Sequence, residues 1–190
     1  EQDQRITEYE TWDQLLDYCT RSADPVGRIV LALAGFGDGE TGPEDLHAMS
    51  DATCTALQLT NFWQDVRRDL EERGRVYMPA QETGVTRGML EEWKDRPEDP
   101  DARVPFIRAL RPLVDRTWTL YEKGAPLPGC VGRETGGVIW LFGAGGRSVL
   151  RAVERGGCAT LWQRPRLSRA RKVLLVARAS FGWYRSPRGE

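Results

Sequence analysis

Apolar residues recur at helical spacing through most of the chain, and no segment shows the strict alternation of a half-buried strand. Trp12, Leu15, Leu16 and Cys19 form a first stripe and predict a helix over Glu8 to Ser22. Pro25 suits the first turn of a second helix running through Val26, Ile29, Val30 and Leu33. Glycine-rich Gly35 to Gly42 predicts a loop, after which Pro43, Glu44 and Asp45 open a long helix that Gly74 ends. Past a turn at Tyr77 to Pro79, Thr86 caps a short helix to Trp93, and the charged, proline-rich stretch from Asp95 to Asp101 reads as surface loop. A helix over Val104 to Lys123 is expected to kink at Pro112, and Pro126 and Pro128 mark the next loop. Val138 to Val153 is helical in spacing; its Gly143, Gly145 and Gly146 cost roughly 1 kcal/mol each relative to alanine unless close packing uses them. Pro165 precedes a last, basic helix near Ser168 to Phe181. The expected architecture is an all-α helical array.

The long helix carries the most informative pattern. In ALQLTNFWQDVRRDLEERGRVYMP, residues 56–79, Gln58, Asn61, Asp65 and Asp69 fall three, four and four apart. At roughly 100° per residue they share one stripe about 80° wide. Leu59, Phe62, Trp63, Val66 and Leu70 occupy the neighbouring sector, and Thr60, Arg67, Arg68 and Glu71 fill the remaining, wet one. Two carboxylates one turn apart repel by roughly 0.2–0.5 kcal/mol, so such a pair is either solvated or neutralised by a cation. A hard divalent metal with oxygen ligands would do this. The spacing alone leaves the solvated and the metal-binding readings open.

Length and charge narrow the classes. At 190 residues and 21.5 kDa the chain suits one domain over residues 1–190. Its net charge is −1, but residues 151–190 hold ten Arg or Lys against Glu154 and Glu190. An acidic body with a basic end suits an anionic ligand, an anionic membrane surface or nucleic acid, and equally a solubilising tail. Cys19, Cys54, Cys130 and Cys158 are too far apart for a zinc site and read as reduced, core or half-buried thiols of a cytoplasmic protein. His47, the only histidine, sits in an ordinary polar position before the long helix and leaves Ser-His or Cys-His catalysis a single candidate base. No apolar run reaches the roughly 20 residues of a transmembrane helix, and no signal-peptide pattern is present. The chain starts at Glu1 rather than Met, which suggests an upstream portion.

Other residues extend the picture. Asp13 and Asp17 also stand four apart, but they point away from the apolar stripe of their helix and read as solvated surface. Tyr18 flanks that stripe, where its ring is buried whether it serves a core or a cavity. Arg75 and Tyr77 follow the long helix closely enough to reach a ligand near Asp69. Arginine binds phosphate oxygens in a bidentate way, so aspartates beside Arg75 suit a magnesium and diphosphate site with apolar helical walls.

These residues resemble a known family. QLTNFWQDVRRDLEERGRVYMP is similar to the second aspartate-rich motif of squalene and phytoene synthases; YETWDQLLDYCTRSADPVGRIVL resembles the preceding helix pair, and LFGAGGRSVLRAVERGGCATLWQRPRLSRARK the C-terminal part. The NFWQDV wording is most like the bacterial squalene-synthase-like, hydroxysqualene-forming proteins of hopanoid pathways. The resemblance implies an isoprenoid-synthase-type fold and an enzyme acting on prenyl diphosphates joined head to head, here presqualene diphosphate going to hydroxysqualene or squalene. By position it implies Mg²⁺ on Asp65 and Asp69, a polar wall of Gln58 and Asn61, an active-site Tyr18, a pocket lined by Val26 and Gly27, and substrate contacts from Arg75 and Tyr77.

Two departures qualify those expectations. The family carries a first aspartate-rich motif on an earlier helix, and this chain begins after that place, so a domain lacking its N-terminal helices is expected. Gln64 stands where many squalene synthases have arginine, which weighs against NADPH-dependent closure to squalene, although Arg171 and Lys172 match a basic pair associated with that cofactor. NADPH is therefore kept but not favoured. A partner enzyme of the hopanoid pathway and peripheral contact at the inner face of the membrane are also expected, with no nucleic acid. The alternative is a non-catalytic relative that binds prenyl diphosphates or partner proteins at the membrane.

Overall fold

The computed structural model describes residues 6–36 and 45–182. Among them run ten helices: α1 (Trp12–Ser22), α2 (Asp24–Leu33), α3 (Asp45–Gln64), α4 (Val66–Arg73), α5 (Ala80–Thr83), α6 (Arg87–Trp93), α7 (Pro100–Gly124), α8 (Leu127–Cys130), α9 (Arg133–Arg155) and α10 (Arg169–Ser180). The described residues hold no strand, only an isolated parallel bridge between Glu8 and Val76. Most of the predicted loop after Gly35, with Pro43 and Glu44, lies outside the described residues.

α3 is the organising helix, packed against α2, α7 and α9. Its apolar sector, with Leu59 and Trp63 fully buried, meets Phe106, Leu110, Leu113 and Tyr121 of α7. The buried polar atoms there are paired, as a dry core requires. Trp63 Nε1 donates to Thr117 Oγ1 at 2.8 Å, and the hydroxyls of Thr60 and Tyr121 lie 2.9 Å apart. Thr60 is thus core, not part of a wet sector, because α7 covers that side of α3 as well. Small residues bring the helices together. A Cβ on Gly27 would stand 2.3 Å from Ser50 Oγ and 2.6 Å from Cys54 Sγ, so α2 crosses α3 only because that position is bare. Gly146 does the same for α9, where a Cβ would meet the Tyr121 hydroxyl and Leu57. Its cost in helix propensity is offset by contact, whereas Gly143 and Gly145 face open space.

Several boundaries differ from those predicted. α1 begins at Trp12 rather than Glu8, because Thr11 Oγ1 accepts from Gln14 N and caps it. Residues before it run extended beside the segment after α4, with Val76 N donating to Thr7 O and Ala80 N to Tyr9 O. α7 starts at Pro100, where Asp99 caps it, and runs through both Pro105 and Pro112 without ending. α8 replaces part of the expected Pro126 to Pro128 loop, and α9 starts at Arg133. His47 lies inside α3 rather than before it. All four cysteines are free, and Cys130 is exposed rather than in or half in the core. No helix of the described residues is long and apolar enough to cross a membrane.

Candidate functional site

The long helix predicted over the aspartate stripe is broken at Asp65, whose φ of −110° and ψ of 20° separate α3 from α4. The backbone bonds from Asp65 N to Asn61 O and from Asp69 N to Asp65 O survive, so the helix bends rather than parts. The bend is held from outside. Gln64 Nε2 donates to Pro165 O at 2.7 Å, and Arg164 donates to both carboxylate oxygens of Asp65. Gly74, in the left-handed conformation at φ 60°, then ends α4 by donating its N–H to Asp69 O.

The four stripe residues therefore face different surroundings. Gln58 lines an apolar cavity of about 290 Å³ formed by α2, α3 and α9, with Val26, Gly27, Val30, Cys54, Leu57 and Phe142 around it. Asn61 is exposed. Asp65 lies in a separate polar cleft of about 390 Å³ between α4 and the 160–166 segment, lined by Gln64, Arg68, Thr160, Arg164 and Arg166. Asp69 is buried at 3% exposure, with Arg73 Nη1 donating to it at 3.0 Å. Burial pushes its carboxyl up to about 6; Arg73 opposes the rise and the charge of Asp65 adds to it.

Aromatic residues form a floor beside the carboxylates. Tyr77 stacks on Phe62 with centroids 3.7 Å apart and planes at 7°, and Tyr9 and Tyr18 complete the cluster. Tyr18 is buried in that cluster and does not line the apolar cavity. Arg75 Nη1 donates to the Tyr77 hydroxyl at 3.2 Å, and its charge also acts on Asp69. The structure thus gathers Asp69, Arg75, Tyr77 and Tyr18 just past the α3/α4 bend, leaves Asp65 in the polar cleft, and brings Gln58 together with Val26 and Gly27 of α2 at the apolar cavity.

Other candidates separate cleanly. Asp13 is exposed, and Asp17 pairs with Arg21 of its own helix at 2.8 Å, as a solvated face does. Burial, with the charge of Asp24 adding, pushes the Cys54 thiol up to about 11, so the one cysteine in the apolar cavity stays protonated near neutrality. Arg171 turns inward to Ser148 Oγ at 3.3 Å, while Lys172 is exposed. Sequence reasoning missed Arg164, whose one signal was membership of the basic end, and Asp24, a 5% exposed acid held by Thr55 Oγ1 at 2.9 Å.

Whether the carboxylates suit a metal is a question of donor chemistry. Asp65 and Asp69 offer hard oxygen donors close enough for one charge to raise the other, and Mg²⁺ typically uses one or two carboxylates together with water and phosphate oxygens. The pair fits that pattern. No group of three or more metal-ligating side chains is gathered among the described residues.

An all-helical array built around one long helix, with an apolar cavity on its flank and paired aspartates at its end, is an isoprenoid-synthase-type fold. Residues 1–171 match the squalene/phytoene synthase family, and the chain belongs to that family. The hydroxysqualene synthase of Zymomonas mobilis is 34% identical over 126 residues, 65% of this chain and 38% of that protein. That of Sinorhizobium fredii is 39% identical over 119 residues, 63% of this chain and 37% of that protein. The crystal structure of the squalene synthase HpnC from Alicyclobacillus acidocaldarius superposes with a TM-score of 0.65 at 38% identity, covering 82% of this chain and 56% of that one. The chain therefore spans well under two thirds of the length of these relatives.

Proposed function

We propose that the protein is a Mg²⁺-dependent enzyme that converts presqualene diphosphate to hydroxysqualene with release of diphosphate. The observation that carries this reading is the division of α3 and its continuation into an apolar cavity at Gln58 and, beyond it, the carboxylates of Asp65 and Asp69, close enough for one charge to act on the other. A prenyl diphosphate is divided in the same way, into a long hydrocarbon and an anionic head. The likeness to hydroxysqualene synthases supports this choice of reaction.

Asp65 and Asp69 would hold the metal, which when bound supplies positive charge to the leaving diphosphate. Arg75 adds a fixed positive charge beside Asp69, and the Tyr77 hydroxyl fixes the direction of its guanidinium. The carbon–oxygen bond to diphosphate breaks, its electron pair leaving with the diphosphate. The resulting carbocation would form where the head group sits, beside the aromatic cluster of Tyr18, Phe62 and Tyr77, whose rings attract positive charge without attacking it. Once the hydrocarbon chain covers Val26, Gly27 and Leu57, that wall sheds its water, so the cation survives until one water adds and loses its proton. Gln58 and Asn61 mark the polar border of that wall. No hydride is needed for this product; squalene would need one from NADPH.

Natural-length protein incubated with presqualene diphosphate and Mg²⁺, with and without NADPH, tests the reading by mass spectrometry. Hydroxysqualene formed without NADPH is the expected result. Squalene formed only with NADPH would replace it with the reductive enzyme, and no Mg²⁺-dependent product would overturn it.

A further inference from the structure

The polar cleft is closed by an interaction that local structure does not require. Arg164 reaches Asp65 from 99 residues away and takes both of its carboxylate oxygens, Nη2 to Oδ2 at 3.1 Å and Nε to Oδ1. Those are the same oxygens a metal at Asp65 would use. The cation beside Asp69 is of another kind. Arg73 sits four residues along the same helix, so displacing it moves nothing else. Of the guanidinium groups that α4 brings to the cleft, Arg68 comes only to 4.0 Å of Asp65 and pairs with Glu72 at 2.8 Å, and Arg67 pairs with Glu71 and Asp95, each at 3.0 Å.

The Arg164 pair has the marks of an exchangeable contact. Its side chains are 37% and 16% exposed, so water can reach it and screen it, unlike a buried pair. The cleft it closes is also incomplete. Thr160 Oγ1, buried in its floor, has no hydrogen-bond partner among the described residues. The segment that Arg164 carries continues directly into α10, and across the cleft Gln64 holds it at Pro165 O.

We propose that Arg164 is a displaceable latch on Asp65: a divalent cation entering the site takes the Asp65 oxygens, expels the guanidinium and frees the 163–168 segment leading into α10. Arg164 is thus a positioning residue that competes with the metal, and cation loading is coupled to the state of a segment remote in sequence. This rests on the reading of Asp65 as a metal ligand.

Two readouts on natural-length protein test it, with Mn²⁺ as the probe cation. Electron paramagnetic resonance of free Mn²⁺ gives affinity, and trypsin cleavage after Arg166 gives release of the segment; the Arg164–Pro165 bond resists trypsin. Arg164→Gln is expected to bind Mn²⁺ about tenfold more tightly, since no internal cation competes, with Arg164→Lys between it and wild type because it keeps charge but not the two-pronged grip. Wild type is expected to be cut faster once Mn²⁺ is added, whereas Arg164→Gln and Asp65→Asn are cut at the fast rate with or without it. Circular dichroism confirms that the variants keep their helices. Equal affinity in wild type and Arg164→Gln, with cleavage indifferent to Mn²⁺ but binding still lost in Asp65→Asn, would overturn the latch and leave the metal ligand standing. Binding unaffected by Asp65→Asn, or absent from every variant, would overturn both.

Discussion

The two surfaces along α3 and α4 treat their unmet needs in opposite ways. At the bend, each aspartate already faces a guanidinium, Asp65 from Arg164 and Asp69 from Arg73. On the flank, the wall around Gln58 has no such substitute, and Val26 and Phe142 remain 60% and 61% exposed. Charge out of water must be neutralised whatever else is bound, and an arginine can do so within the chain. Apolar surface is satisfied only by another body that excludes water. A ligand at the polar end must therefore compete with existing contacts, while one at the apolar end meets no competitor.

The contrast is broken most severely at the carboxylates. Asp65→Asn or Asp69→Asn in natural-length protein is expected to lower turnover of presqualene diphosphate by orders of magnitude with unchanged far-ultraviolet circular dichroism; unchanged turnover would remove both from the metal site. A smaller effect, on stability, is expected from the apolar side. Gly27→Val forces a side chain into the 2.3 Å space before Ser50 Oγ and should destabilise the fold by about 1–3 kcal/mol in urea titrations, while leaving Mn²⁺ affinity unaltered.

pH sharpens the comparison further. Burial pushes both Asp69 and Asp24 up to about 6 from an ordinary 3.8. Between those values the folded chain holds protons that the unfolded chain has lost. Their contribution to stability is therefore full below about pH 4 and is lost as pH rises through 6. Thermal melts across that window should show this trend, and Asp24→Asn should flatten part of it. Mn²⁺ affinity should move the other way, rising through pH 6 as Asp69 gives up its competing proton. Smallest of all, Asp17→Ala should change stability by less than about 0.5 kcal/mol by the same melts, because its pair with Arg21 is exposed.

Much of this was legible in the residues. Periodicity located the principal helices, since a buried stripe repeats every turn wherever a helix packs. Thr86 marked the start of α6 and Gly74 the end of α4, because capping and a left-handed turn are local chemistry. The starts of α1 and α7 differ from the periodic reading because the caps Thr11 and Asp99 decide them. Spacing places Gln58, Asn61, Asp65 and Asp69 on one stripe of a straight helix, and the bend at Asp65 sends them to different environments. Spacing alone puts Thr60 on the wet side, because it does not reveal that α7 covers that residue.

The sequence by itself determined the all-helical class, the carboxylate spacing and the family, all of which depend on residues close together along the chain. Only the tertiary structure decided that Arg164 meets Asp65, that Gln64 ties the bend to Pro165, and that Gly27 and Gly146 are where helices touch. Those facts depend on which segments packing brings together across as many as 101 positions, and no local pattern of propensity or charge encodes that choice.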